Sequence, residues 1–303
     1  FAEQGPAHAR RDPMGDDELT PEQKKTIAGN FVKMSPPAQQ LKVVEDVRTL
    51  IGPDLLSSAT EERMLLELNK SQFGAVTLPS GGQVLITPHG ELPDGFIDPT
   101  SKPPQLLAVN HSKLTCTAKP LSGPHLSELQ AVAKYRDPID AAMRAHASEW
   151  LPSAVVTTYG SSSPGVKITC CVAALASDLA NYSAGRWWGE WTLTTGGGGV
   201  GLLVGQIKCN IHYFEDGNVQ LEDTGKYQCE LPMGDNIGEA FAKKVMEYEQ
   251  EWTTKMEDIY RTLSEEVLQS LRRRLPITRT KFDWEKATVA KLAMDLQSQA
   301  IKK

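Results

Sequence analysis

Between Asn236 and Leu275, apolar residues recur every three or four positions: Phe241, Val245, Tyr248, Trp252, Met256, Ile259, Leu263, Val267, Leu271 and Leu275. This spacing predicts one amphipathic helix. Asn236 serves as its N-cap, Glu239 stands at the third helical position, and Pro276 stops it. Such a helix has about 39 residues and extends on the order of 60 Å at 1.5 Å per residue, about twice the diameter of a small domain. One sheet from the same chain is too narrow to cover that stripe. Something else must lie under its far part, most simply a second subunit.

The sheet is legible between 154 and 222. "AVVTTY" and "VKITCCVAALA" flank a Ser-Ser-Ser-Pro-Gly turn, and "RWWGEWTLTT", a "GGGG" link and "LLVGQIKCNIHYF" follow. Leu203, Ile207, Cys209, Ile211 and Tyr213 alternate with Gln206, Lys208, Asn210 and His212, which predicts a strand with a drier and a wetter face. Asp216-Gly217 forms a two-residue hairpin loop, and "VQLE" opens the next strand. Five strands with short links make an antiparallel meander. Trp187 and Trp191 fall on one strand face, in core and interface packing, and Trp188 falls on the other. Arg186 and Glu190 are spaced to pair or to stay solvated.

Upstream, the pattern is helical. Thr20, Pro21 and Gln23 make a capping box with Pro at the first helical position, followed by Ile27, Phe31 and Val32. "SPP" at 35–37 separates a second helix, with Leu41, Val44, Val47, Leu50 and Ile51 on one stripe and Gly52-Pro53 at its end. A third helix over about 60–68 carries Met64, Leu65 and Leu68. "GAVTLPSGGQVLITPHG" reads as two short strands around a turn, and "LPDGFIDPTSKPP" reads as loop. Residues 126–150 read as helical, with a restart at Asp137-Pro138. The expected organisation is a flexible extension at 1–19, a helical stalk at 20–70, a small β-rich module at 71–125, a helix plus antiparallel sheet at 126–235, the long helix at 236–275 and a C-terminal arm at 276–303. The fold class is α+β.

Several function classes are excluded on composition and motifs. No run of 18 or more apolar residues occurs, and the first residues carry no secretory signal pattern, so no transmembrane segment is expected. The five cysteines form no C-x-x-C pair and are odd in number, which argues for reduced thiols and against a zinc site. Gly196 to Gly201 matches G-x-G-x-x-G, but a strand follows where a dinucleotide site needs a helix. His89 and His212 read as turn and surface residues. "FEDGN" lacks the acidic series of a calcium loop. No catalytic constellation is present, so no enzyme and no cofactor is expected.

Charge is unevenly distributed. From Leu271 to Lys303 there are nine Lys or Arg and three Asp or Glu, a tail of +6; the chain totals −6, so the remainder carries −12. Such asymmetry invites an acidic partner. Basic clusters also attract phosphoinositide headgroups. Nucleic acid is not expected, because the body repels phosphate and no nucleic-acid motif occurs. "FDWEKATVAKLAMDLQSQAIKK" returns to helical spacing with Val289, Leu292, Leu296 and Ala300 on a narrow stripe, an amphipathic arm behind the Pro276 break.

Four stretches resemble the α subunit of the heterodimeric F-actin capping protein: "VLITPHGELPDGFIDP" (84–99), "GRWWGEW" (185–191), "HYFEDGNVQL" (212–221) and "LRRRLPITRTKFDW" (271–284), with weaker agreement at "VEDVR". The likeness runs from about residue 25 to 298. It implies a three-helix stalk, a small β module, a five-stranded antiparallel sheet, a long helix across it and a mobile amphipathic C-terminal helix. It also implies pairing with a β subunit into a continuous ten-stranded sheet, and calcium-independent capping of actin filament barbed ends in the cytoplasm and cytoskeleton. Phosphoinositides and capping regulators are further implied partners. The family's tail basics fall on Arg273 and Arg279; Arg272, Arg274, Lys281, Trp284, Leu292 and Leu296 complete the implied actin contact. Trp187, Trp191, Ile211 and Tyr213 are implied at the subunit interface. Departures are Gln269 in place of a family lysine, Arg274 in place of a glutamine, Ala287 and Thr288 in place of a bulky aliphatic pair, and "RWWGEW" in place of "RWRSEW". Alternatives are a structural subunit of a larger actin-related assembly such as dynactin, or a lipid or nucleic-acid adaptor using the basic tail.

Overall fold

The computed structural model describes residues 19–178, 180–195, 199–214 and 219–262. Three helices come first: α1 (Pro21–Lys33), α2 (Gln40–Ile51) and α3 (Ser58–Ser71). The capping box at Thr20 and Gln23 forms in both directions, and the Ser57 hydroxyl caps α3 by accepting from Thr60 N. Ala28, Val32, Val44, Val47, Leu56, Leu65 and Leu68 make the stalk core.

The expected stripes are only half right here. Phe31 is 56% exposed, Leu41 57% and Leu50 77%. Ile27 and Met34 are also exposed. Three helices bury one narrow seam each, and the adjacent apolar positions are left facing outward.

Strands β1 (Gly74–Thr77) and β2 (Gln83–Ile86) form the expected hairpin. The "LPDGFIDP" segment is not loop. A single 3-10 turn (Pro88–Gly90) leads into β3 (Glu91–Leu92) and β4 (Gly95–Asp98), which pair antiparallel. Gly95 has φ +146, and a Cβ there would strike the Leu107 carbonyl. The turn chemistry at Pro93-Asp94-Gly95 hides a tight hairpin that periodicity could not show in so few residues. With β5 (Gln105–Asn110) and β6 (Thr115–Pro120) these strands form one six-stranded sheet in the order β2-β1-β6-β5-β4-β3.

Helices α4 (Pro124–Ala131) and α5 (Ala133–Trp150) follow. The break falls at Val132 rather than Asp137. Val132 is fully buried and fills the space that a Cβ would occupy at Gly160. Asp137 pairs with Arg136 instead of capping, and Pro138 lies inside α5. Tertiary packing at Val132 overrides the local cap signal.

The second sheet is the expected meander: β7 (Val155–Ser161), β8 (Lys167–Asp178), β9 (Ser183–Thr195), β10 (Val200–Tyr213) and β11 (Val219–Pro232), all antiparallel and in sequence order. The Asp216-Gly217 loop lies outside the described residues. On β10, Leu203, Ile207, Cys209, Ile211 and Tyr213 are buried as expected. Asn210 and His212 on the opposite face are buried as well, so that face is wet only over its first half.

α6 (Ile237–Thr262) crosses this sheet beside α5. Phe241, Val245, Trp252 and Met256 enter the main core with Ile139, Met143, Ile168, Leu193, Leu203 and Ile207. Leu263 to Leu275, the rest of the expected helix, lie outside the described residues. The sheet is paved with glycine where aromatics sit. Gly205 pairs with Trp191 on β9 and Tyr227 on β11. The Trp191 ring covers it and stacks on Tyr248 of α6, 6.1 Å between centroids and 7° between planes.

A Cβ at residue 205 has no free space, because it would enter the Trp191 ring. Gly205→Ala is therefore expected to lower stability by about 1–3 kcal/mol through overpacking. Gly234→Ala, with nothing within 4 Å of its Cβ, serves as the control and should leave the urea midpoint unchanged or slightly raised. Urea unfolding followed by tryptophan fluorescence measures both.

Candidate functional site

Three of the four resemblance stretches meet on the lower face of the five-stranded sheet, where the first half of the chain docks. Phe73 and Leu85 pack against Val155, Tyr159, Cys171 and Ala173, with Trp188 beside them. The Thr157 hydroxyl accepts from Leu85 N at 3.0 Å, and the Tyr159 hydroxyl donates to Leu85 O at 2.8 Å. Burial pushes the Tyr159 phenol up, so it remains a donor.

Arg186 and Glu190 do not pair with each other. Arg186 is 9% exposed and donates through its guanidinium to Gln72 O, at the C-cap of α3, at 2.9 Å. Burial lowers its pKa to about 10, still leaving it protonated at neutral pH. Glu190 lies 3.0 Å from His89 Nε2, and this hydrogen bond holds its carboxyl below the ordinary range. His89 is thus more than a turn residue; it ties the 3-10 turn to β9. His212 is buried and stacks on Phe214 at 5.0 Å rather than facing solvent. These residues join stalk, small module and sheet into one body.

Trp187, Trp191, Ile211 and Tyr213 lie in internal packing. Trp191 is 0% exposed, and Ile211 and Tyr213 are also buried. Trp187 packs against the same helix–sheet core and meets Trp150 of α5 edge-on at 5.4 Å. Trp187 is half-buried, with part of its ring still open to solvent. Arg272, Arg273, Arg274, Arg279, Lys281, Trp284, Leu292 and Leu296 all lie outside the described residues.

Two surfaces stand open instead. β11 has no neighbouring strand on its outer side among the described residues, whereas β7, at the other edge, packs against β2 and α4. The signal for this was in the strand itself: Lys226, Glu222 and the terminal Pro232 are residues that suit an edge. The second surface is the exposed apolar row of Ile27 and Phe31 on α1 with Met34 at its C-cap. Beside β11, the lower face carries a groove of about 490 Å³ lined by Thr192, Val204, Gln206, Lys226 and Gln228. Among the described residues, no group of three His, Cys, Asp or Glu is placed to hold a metal ion, and no helix is long and apolar enough to cross a membrane.

Comparison with known proteins agrees with this architecture. The family described as F-actin capping protein alpha subunit matches residues 28–295. An F-actin-capping protein subunit alpha from Dictyostelium discoideum is 33% identical over 276 residues, covering 89% of this chain and 96% of that protein. One from Arabidopsis thaliana is 26% identical over 301 residues, covering 95% and 97%. Among solved structures, a homodimeric actin capping protein alpha subunit from Plasmodium berghei superposes with a TM-score of 0.70 at 16% identity, covering 85% of this chain and 98% of that one, a likeness of fold. On the family match and the Dictyostelium relative together, the chain belongs to the F-actin capping protein alpha subunit family.

Proposed function

We propose that the chain is the α subunit of a two-chain, non-enzymatic capping protein that binds the barbed end of an actin filament and blocks subunit gain and loss without calcium. The observation that carries this is the family match through residue 295, which takes in the basic stretch at 271–284. Arg273, Arg274, Arg279 and Lys281 make charge-assisted bonds to carboxylates on actin. Leu292 and Leu296 follow them into an apolar groove on the terminal subunit. Phosphoinositides compete for the same arginines. The protein works in the cytoplasm, on the cytoskeleton.

The open edge of β11 supports a paired subunit. A β partner adds its own strands there and extends the sheet to ten. The exposed row along α1 gives the partner's stalk an apolar surface to cover. The Plasmodium homodimer favours a second reading, in which a second copy of this chain takes the β subunit's place. Reciprocal pairing of Glu222 with Lys226 about Thr224 gives that arrangement a charge-matched register along the same edge.

Light scattering after size exclusion separates the two. Co-expressed with a capping protein β subunit, the chain is expected to elute as a one-to-one complex and, by itself, at its own 33.2 kDa. A mass near twice that for the chain alone selects the homodimer.

The double reversal Arg273→Glu and Arg279→Glu removes two charge-assisted contacts worth about 1.5–3 kcal/mol each, so barbed-end affinity should fall by two orders of magnitude or more, roughly. The melting temperature of the complex should not change. Undiminished inhibition of seeded actin elongation by this variant would refute the proposed role of the arm.

A further inference from the structure

The seam between α5 and α6 holds an acid–base pair, a half-buried His146 against a buried Glu249, that barbed-end binding does not use. At one end of the seam Gly238 abuts the Pro138 carbonyl, leaving no room for a side chain. Further along both helices, His146 Nε2 lies 2.6 Å from a Glu249 carboxylate oxygen. Glu249 is 3% exposed. The His146 ring stacks on Trp150, 6.2 Å between centroids and 7° between planes, and Trp150 leans edge-on against Trp187.

The groups around the pair do not balance it. From α5 come Asp140, Arg144 and Glu149; from β8 comes Cys170; β9 contributes only the uncharged Trp187. Arg144 is engaged with Asp140 and with Val156 O. The Cys170 thiol, pushed up to about 12 by burial, stays neutral. His146 is thus the proton donor that Glu249 meets across the seam.

We propose that His146 and Glu249 form a proton-operated latch that sets how firmly α6 is seated on α5. A burial-dominated environment raises Glu249 above 4.5, and the hydrogen bond to Glu249 raises His146 above 6.5. The closed seam therefore holds more protons than the same groups in open solvent. For the histidine, this stabilisation is complete below 6.5 and is lost as pH rises through its raised value. The carboxylate acts in the same direction, because on the alkaline side a buried anion faces a neutral imidazole. α6 leads in sequence to the basic stretch.

Hydrogen exchange of the full chain in complex with its partner subunit tests this, compared at about pH 6 and about pH 8.5 after correction for intrinsic rates. Peptides covering residues 245–256 should lose protection at the higher pH, by about tenfold per unit of raised pKa, while those of β8 and β9 hold. His146→Gln and Glu249→Gln should each abolish the difference. Equal protection at both pH values, or a pH dependence that survives in both variants, overturns the proposal. The NMR titration of the wild-type His146 ring stands apart from any folding defect in the variants; a midpoint at or below 6.5 also overturns it. Exchange in α6 is read without actin, so failure here is distinct from failure of the capping reading.

Discussion

The structure depends on one contact: the aromatic and aliphatic stripe of α6 against the upper face of the five-stranded sheet. Phe241, Val245, Trp252 and Met256 are buried in that contact, and the sheet leaves glycine where its large rings lie. Gly205 carries the Trp191 ring, on which Tyr248 stacks, and Gly225 lies under Trp252. Trp252 also donates to Asp223 at 2.8 Å, so a core aromatic has its one polar atom satisfied at the sheet. Substituting glycine costs strand propensity, yet it lets large rings lie flat on the strands, where they bury more area than a side chain at the same position would.

The lower face follows a different logic. It is held by few apolar contacts and by several polar ones of long sequence separation: Arg186 to Gln72, His89 to Glu190, Leu85 to Thr157 and Tyr159. A buried guanidinium is costly unless bonded, so these groups specify where the first half of the chain sits rather than add much net stability. The same division places the open surfaces. β2 and α4 pack against β7, whereas β11 has no neighbouring strand on its outer side among the described residues.

Much of this was legible in the sequence. The meander from Val155 to Pro232 follows from period-two alternation broken by short turns, and the helix start at Thr20 follows from side chains that satisfy free amide groups. The misses have physical causes. The β3–β4 hairpin is too short for a period, and its Gly95 is needed because of Leu107, a residue on another strand. The helix break moved to Val132 because Gly160 makes room for it. Trp191 is drawn fully into the core under Tyr248 of α6, which its own strand pattern could not show, while Trp187 stays half-buried. The arm arginines were read from charge and resemblance alone and lie outside the described residues.

By itself the sequence determined the stalk helices, the five-stranded meander, the family and the basic character of the last segment, because periodicity, caps, turns and motifs act over a few residues. Only the tertiary structure decided which apolar stripes are buried and which stay open, what packs against β7, and that His146 and Glu249 face each other across the α5–α6 seam. Those outcomes depend on contacts between residues far apart in the chain. No local pattern records which of two equivalent faces another element will cover.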